Sequence, residues 1–557
     1  MSIHTLLSVL FILAASVSVN AHTNAPSQHE RIATTETIPG DNVLRFYRMA
    51  IPVTYTAYEE DFGHDYEKAL LFWTETEAYL NRIYVPLGFC FDVIKDKRLV
   101  MTEHNMIDEN VFNAPAFGTE LLNQIIGTSA YDIGMWVTHR EDYEENSGLS
   151  IENGAYMPST KASGYAKTDK WVVAHEVGHL LGANHTPGGE GSLMDNIGDF
   201  LSYPSIKRIR TACIQKNAAY YSDETRTQLQ GTDNGGNYVY GIKVNNSAPE
   251  FVQERMSKTY SIPQGSNLSL TVHATDEEQN RLEYMSIGCS TGNADNVSEE
   301  DEAPHFASKA PQTHNIIEYR TQYSADVFYD DFFYPVYGTE VASMTPGDYS
   351  ISILVRDIPE TDEWTSTTMK TNPFYSNYTV WEAKIRIVPG TEFSASLSPK
   401  KNEYNAGEIV TVKWGVNNAL FTSESKVRIT MSADYGKTYG YVLAEDIPAQ
   451  NGQASIKLPY ANVGNIDVDF ITATRQMRGG IIRIEEKDGI AFTLTTDSPE
   501  KGGGFTIVGA EETDIRSLLP TPANTEDIFD LHGRKVSRLD TICPGLYITK
   551  GKVVFIK

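Results

Sequence analysis

The segment "WVVAHEVGHLLGANH", Trp171–His185, carries three histidines and a glutamate in close succession. On an α-helix four residues advance about 400°, so His175 and His179 stand about 40° apart on one face. Two imidazoles one turn apart can share a metal ion. Glu176 points about 100° away from that axis, where it can serve a metal-held water as general base rather than ligate. His185 cannot join from the same helix, because the chain must first turn. Gly182 is able to take positive φ and stop the helix, after which the chain can bring His185 back. Three neutral imidazoles leave the fourth position of a tetrahedral zinc open, as a hydrolytic site requires. A helix that is merely rich in histidine is the plain alternative, and five specified residues at fixed spacing argue against it.

Such a helix needs a sheet to stand against. The flanking "WVVA" and "LL" give it an apolar face for burial. Upstream, "LRFYRMAIPVTYTAY" alternates like a strand, and "DYEKALLFWTETEAYLNRIYVPLG" has helical periodicity ending at Pro86 and Gly88. "FCFDVIKDKRLV" returns to strand, "TELLNQIIGTSA" reads as helix and "YDIGMWVTH" as strand. "LSYPSIKRIRTACIQ" reads as a closing helix. Residues 42–245 are therefore expected to form an α/β (α+β) domain with helices against a sheet. Beyond residue 246 helical periodicity nearly disappears. Short alternating runs broken by Pro, Gly and Asn predict two all-β sandwiches, 246–390 and 391–497. Residues 498–524 read as a linker around Gly502, Gly503 and Gly504, and 525–557 as a small β-meander.

"GGEGSLMDN" places Met194 shortly after the third histidine. The long histidine motif followed by a methionine turn resembles the metzincin metallopeptidases, and within them the bacterial reprolysin-like (adamalysin-like) branch. The resemblance covers roughly residues 42–240. It implies His175, His179 and His185 as zinc ligands, Glu176 as general base, and Met194 as the hydrophobic floor beneath the metal. Astacin-like and serralysin-like relatives carry a tyrosine two residues after that methionine. Asn196 stands there, so a tyrosine role is not expected. Family likeness also suggests that "SIENGAYMPST" is the edge strand above the cleft, with an ordinary surface hairpin as the alternative. No cysteine lies between His22 and Phe89, which excludes a cysteine switch from an N-terminal prosegment. Residues 22–41 form only a short N-terminal segment.

The formal net charge of -27 excludes nucleic acid as the main partner, because phosphate binding needs a basic face. The apolar run Leu6–Val17, followed by Val19 and Ala21, reads as a signal peptide over residues 1–21. Cys90, Cys213, Cys289 and Cys543 form no close-spaced metal pattern, and a Cys90–Cys213 bridge and free thiols both remain open. "SLTVHATDEEQNRLEY" resembles cadherin-like or Ig-like modules, in which Asp276, Glu277 and Glu278 could hold Ca2+; a solvated turn is the simpler reading. "VRITMSADYGKTYGYVLAEDIPAQNGQASIKLP" resembles the Ig-like module that accompanies such bacterial peptidases. The tail, through Leu531, Gly533, Arg534, Lys535, Val536, Pro544, Gly545, Tyr547, Gly551, Lys552 and Lys557, resembles the sorting domain of the Bacteroidetes type IX secretion system. The expectation is a secreted or cell-surface zinc endopeptidase acting on proteins or peptides and handled by that secretion machinery. Its rival is a surface adhesin with a zinc domain kept only as scaffold.

Overall fold

In the computed structural model the run VLRFYRMA forms strand β2, Val43–Ala50, with most of its side chains buried. Such a run, covered on both faces, makes the central strand of a sheet. The structure describes residues 35–140, 147–186, 192–195, 198–216, 228–232, 238–256, 259–287, 306, 309–319, 346–360, 363–469, 474–495, 504–510, 528–530, 535–536, 545–549 and 552–556. Ahead of β2 lies a short strand, β1, Thr35–Thr37. After β2 come helices α1, Tyr55–Glu60, and α2, Tyr66–Tyr84, then strand β3, Phe89–Val93. Sequence periodicity extends the first strand through Tyr58. Instead Pro52 and the Thr54 side chain, which accepts the Ala57 amide, stop it and start α1. Asp65 caps α2 in the same way, and Gly88, at φ 99°, turns the chain into β3.

Next are α3, Met106–Glu109, α4, Asn113–Ile126, β4, Ile133–Gly134, and β5, Trp136–Thr138. They are followed by β6, Gly148–Ser150, β7, Gly164–Lys167, the histidine helix α5, Lys170–Leu180, and α6, Tyr203–Lys216. Strands β8, Gln228–Thr232, and β9, Tyr238–Lys243, return to the first sheet. That sheet runs β3-β2-β9-β8, with β4 also pairing β2. A second sheet, β5-β7-β6, continues it through isolated bridges from Val53 to Val100 and Val137. β6 is the antiparallel edge strand. Helices α2 and α5 pack together over a core that includes Trp73, Leu80, Tyr84, Val173, Val177 and Met194.

The β region opens with β10, Glu250–Phe251, β11, Thr259–Pro263, β12, Asn267–Thr271, β13, Ala274–Thr275, and β14, Arg281–Ile287. Then come β15, Lys309–Gln312, β16, Ile316–Tyr319, β17, Gly347–Ile358, helix α7, Ser366–Thr371, and β18, Tyr378–Val388. One sheet is ordered β1-β18-β17-β14-β15, with β11 also on β18. The other begins β16-β12 and continues into Ala491–Leu494, Ile481–Glu486, Lys426–Ser432 and Tyr441–Pro448. The segments on either side of residue 390 therefore share a sheet, and their apolar side chains form one continuous cluster. In the tail Ile528–Asp530, Lys535–Val536, Gly545–Thr549 and Lys552–Ile556 make a four-stranded sheet.

The first β unit is fastened to the α/β domain and the segment before it at several points. β1 pairs with β18. Met285, Ile287, Leu354, Tyr378 and Val380 enter the domain's own core. Arg210 of α6, fully buried, donates to the carbonyls of Pro86 and Ser376 and lies 4.5 and 4.7 Å from the rings of Tyr375 and Tyr378. The β17–β18 connection also crosses to the far side of the first sheet. There Trp364, Met369 and Phe374 close an apolar cluster with Leu44, Phe46, Val85, Cys90 and Ile242. At the same junction Asp357 is buried and accepts from Asn246 and from the Asn377 amide.

Cys90 and Cys213 are both buried, belong to different clusters and are not bridged to each other. Cys289 and Cys543 lie outside the described residues, as do residues 1–21, most of the linker, and the tail residues Leu531, Gly533, Arg534, Pro544, Gly551 and Lys557. No helix among the described residues is long and apolar enough to cross a membrane.

Candidate metal centre

Asp169 caps α5 by accepting the Trp171 amide at 2.7 Å. The helix ends in a Schellman turn: the Gly182 amide donates to the His179 carbonyl at 2.9 Å and the Ala183 amide to the Gly178 carbonyl at 2.8 Å. Gly182 has φ +107°, and a Cβ there would stand 2.7 Å from Asn153 Oδ1. The predicted stop is in place, and the chain beyond it returns His185 to the helix. His185 Nε2 lies 3.1 Å from His175 Nε2 and 3.1 Å from His179 Nε2. Among the described residues these three histidines are a group able to hold a metal ion.

The tautomers follow from the partners. His175 Nδ1 sits 2.8 Å from the Leu193 carbonyl and His179 Nδ1 2.8 Å from the Ala183 carbonyl. A carbonyl only accepts, so each Nδ1 carries the hydrogen and each Nε2 presents a lone pair. Burial, helped by His185 and opposed by the Leu193 bond, lowers the His175 pKa to about 4. Its imidazole is neutral near pH 7, as ligation requires. The His175 and His179 lone pairs converge on His185 Nε2, the arrangement in which three imidazole nitrogens can share a cation. Nitrogens about 2.0–2.1 Å from a shared tetrahedral zinc would lie roughly 3.4 Å apart, close to the observed spacing. The residues present therefore fit zinc.

Glu176 is 4% exposed and leans on β6. A Cβ at Gly148 would meet its Oε1 at 2.5 Å. Burial raises the Glu176 pKa to about 8, and a hydrogen bond from Ser150 opposes that rise; a cation held by the adjacent histidines would favour the ionised carboxylate that a base needs. Its Oε2 is buried and has no hydrogen-bond partner, which is the kind of orphan a reacting water would satisfy. Beneath the helix, fully buried Met194 is so close that a Cβ at Gly178 would come within 2.7 Å of its sulfur. Tyr84 donates to the Ala174 carbonyl at 2.6 Å and steadies the same turn. Asn196 lies outside the described residues.

The edge strand is not the expected Ser150–Thr160 stretch: it lies upstream and shares only Ser150 with it, and residues 151–160 are turn and 3-10 helix. β6 covers Gly148–Ser150, and a 3-10 turn follows at Gly154–Tyr156 because Asn153 takes φ 59°. Asp276, Glu277 and Glu278 close their own turn with Asn280 and Ser247 and are not part of a metal-holding group, so calcium finds no support there. Sequence reasoning missed Gly148, Ser150 and Trp171. The first two reach the site only through strand packing. Trp171 had a signal, its position four residues before His175.

Residues 94–186 match the family model described as metallo-peptidase family M12B, reprolysin-like. The matched segment ends one residue after His185. No curated protein matches the chain. Similar solved structures include fibronectin(III)-like modules of Clostridium thermocellum CbhA, at 9% identity over 45% of this chain and 94% of that one, TM-score 0.13. Another is the N-terminal four Ig domains of Dscam1 isoform 4.44, at 9% identity over 48% of this chain and 52% of that one, TM-score 0.12. Likeness at that level carries no argument. The family match and the histidine cluster together support a metallopeptidase.

Proposed function

We propose that the chain is a zinc-dependent endopeptidase of the reprolysin-like metzincin type, with His175, His179 and His185 as ligands and Glu176 as general base. The observation that carries this reading is the convergence of three Nε2 atoms, two of them with Nδ1 tied to carbonyls, beside a buried carboxylate with one unbonded oxygen. Zinc held there supplies Lewis acidity for amide hydrolysis. Glu176 accepts a proton from the attacking water at Oε2 and delivers it to the leaving amine. Ser150 and the close approach at Gly148 keep the other oxygen turned toward β6. An extended peptide adds beside that edge strand through backbone hydrogen bonds. Met194 fills the space under the helix and keeps water from that side. We also propose export, followed by type IX secretion to the cell surface or medium. The support is the apolar N-terminal run, the sorting-domain likeness and the small tail sheet.

The test is Glu176→Ala, assayed on casein or a peptide library with zinc content measured in parallel. The expected outcome is unchanged zinc stoichiometry and a loss of roughly 10²–10⁴-fold in cleavage rate. Wild-type cleavage by the variant would overturn the assignment.

A further inference from the structure

Trp171 lies in the first turn of α5, one turn before His175. Its indole stacks on the His175 ring with centroids 5.8 Å apart and planes at 28°. The indole N–H donates to the Gly198 carbonyl at 2.8 Å, and the Gly198 amide donates to the Ser192 carbonyl at 3.2 Å. His175 itself bonds to Leu193 in that same loop. The ring of His175 is therefore held at its edge by the loop and on its face by a tryptophan that is tied to the loop.

From this geometry we infer that Trp171 is a positioning residue for the metal, acting through His175 and fastening the methionine loop to the histidine helix. The inference rests on the metal-site reading above. When His175 Nε2 gives its lone pair to a cation, positive charge spreads onto the imidazole. An electron-rich indole face attracts such a ring more strongly than it attracts a neutral one. Trp171 thus favours the metal-loaded state over the metal-free state, and its tie to Gly198 limits rotation of the ligand. The strongest effect belongs to Trp171→Leu, which removes both the stack and the N–H. Trp171→Phe keeps a ring on His175 but cannot reach Gly198.

The experiment titrates Zn2+ in the full chain against a competing chromogenic chelator, whose absorbance reads zinc affinity in every protein; tryptophan emission is followed in parallel, with melting of the metal-free proteins as control. Wild type is expected to bind one zinc per chain, with an emission change that both variants lack. Trp171→Leu is expected to weaken zinc binding by roughly 10–100-fold, as loss of a partner to a metal ligand does. Trp171→Phe should fall between the two while melting like wild type without metal. A Phe variant with wild-type zinc affinity and a Leu variant within about threefold of it would overturn the inference. Should the Leu variant fail to fold, wild-type affinity in the Phe variant alone overturns it. Absence of stoichiometric zinc in wild type would instead overturn the metal-site reading itself.

Discussion

Gly148→Ala tests the proposed general base, Glu176, separately from the proposed metal ligands. The added Cβ would stand 2.5 Å from Glu176 Oε1 and 2.8 Å from its Cδ and Cγ. Ordinary contact needs 3.4 Å or more, so the carboxylate must retreat by about 1 Å. It cannot swing freely, because it is almost wholly buried between α5 and β6. Gly148 is not among the residues with positive φ, so alanine fits its backbone, and the gain of about 0.4–1 kcal/mol from a less flexible unfolded chain offsets part of the clash. A misplacement of about 1 Å costs on the order of 10²-fold in rate, or about 2.7 kcal/mol in the barrier. The three histidines are untouched. The assay is steady-state cleavage of a fluorogenic peptide, with zinc stoichiometry and thermal melting measured on the same preparation. A fall in kcat of roughly a hundredfold with KM and zinc unchanged is expected. Retention of wild-type kcat would refute the claim that β6 sets the position of Glu176. Loss of zinc would refute the claim that base and ligands are held separately.

Two further outcomes follow from the same structure. Gly182→Ala places a side chain at φ +107° and against Asn153, at a cost of about 2–3 kcal/mol; chemical denaturation of the metal-free protein should show that loss, and zinc affinity should fall because the turn delivers His185. Burial, reinforced by Asp276 and opposed by bonds from Asn246 and Asn377, raises the Asp357 pKa from 3.8 to about 7. The folded state then binds the extra proton, so this contribution is full below about pH 4 and is lost as pH rises through about 7. Melting temperatures of Asp357→Asn should show a shallower pH slope than wild type over that range, and an unchanged slope would count against it.

The histidine motif was legible because its chemistry is local. Ligands four residues apart on a helix, and a glycine that ends it, declare themselves in a short stretch of chain. The main helices were legible for the same reason, since Tyr66–Tyr84 and Tyr203–Lys216 repeat their apolar positions at helical spacing. What escaped is what depends on distant strands. Gly148 looks like any loop glycine until β6 is laid against Glu176. The start of α1 depended on the Thr54 cap and was masked by an alternating run. Helix α7, with the sequence STTMKT, has no amphipathic pattern; it is held by the sheet that it covers. The shared sheet across residue 390 joins strands more than 150 positions apart, Leu268 opposite Ala491 among them, and no local pattern encodes such a partner.

The β17–β18 connection gives the peptidase unit a boundary that does not follow the order of the chain. Residues 42–245 contain the histidines, Glu176 and the methionine loop, yet Trp364, Met369 and Phe374 finish their rear surface. A stop codon after Val244 would leave that surface open to water and Arg210 without its tyrosines. Gene fusions or exon-like exchanges could move this peptidase only together with the β unit that follows it. A single nick between β17 and β18 would loosen the hydrolytic unit while sparing every residue of the histidine motif.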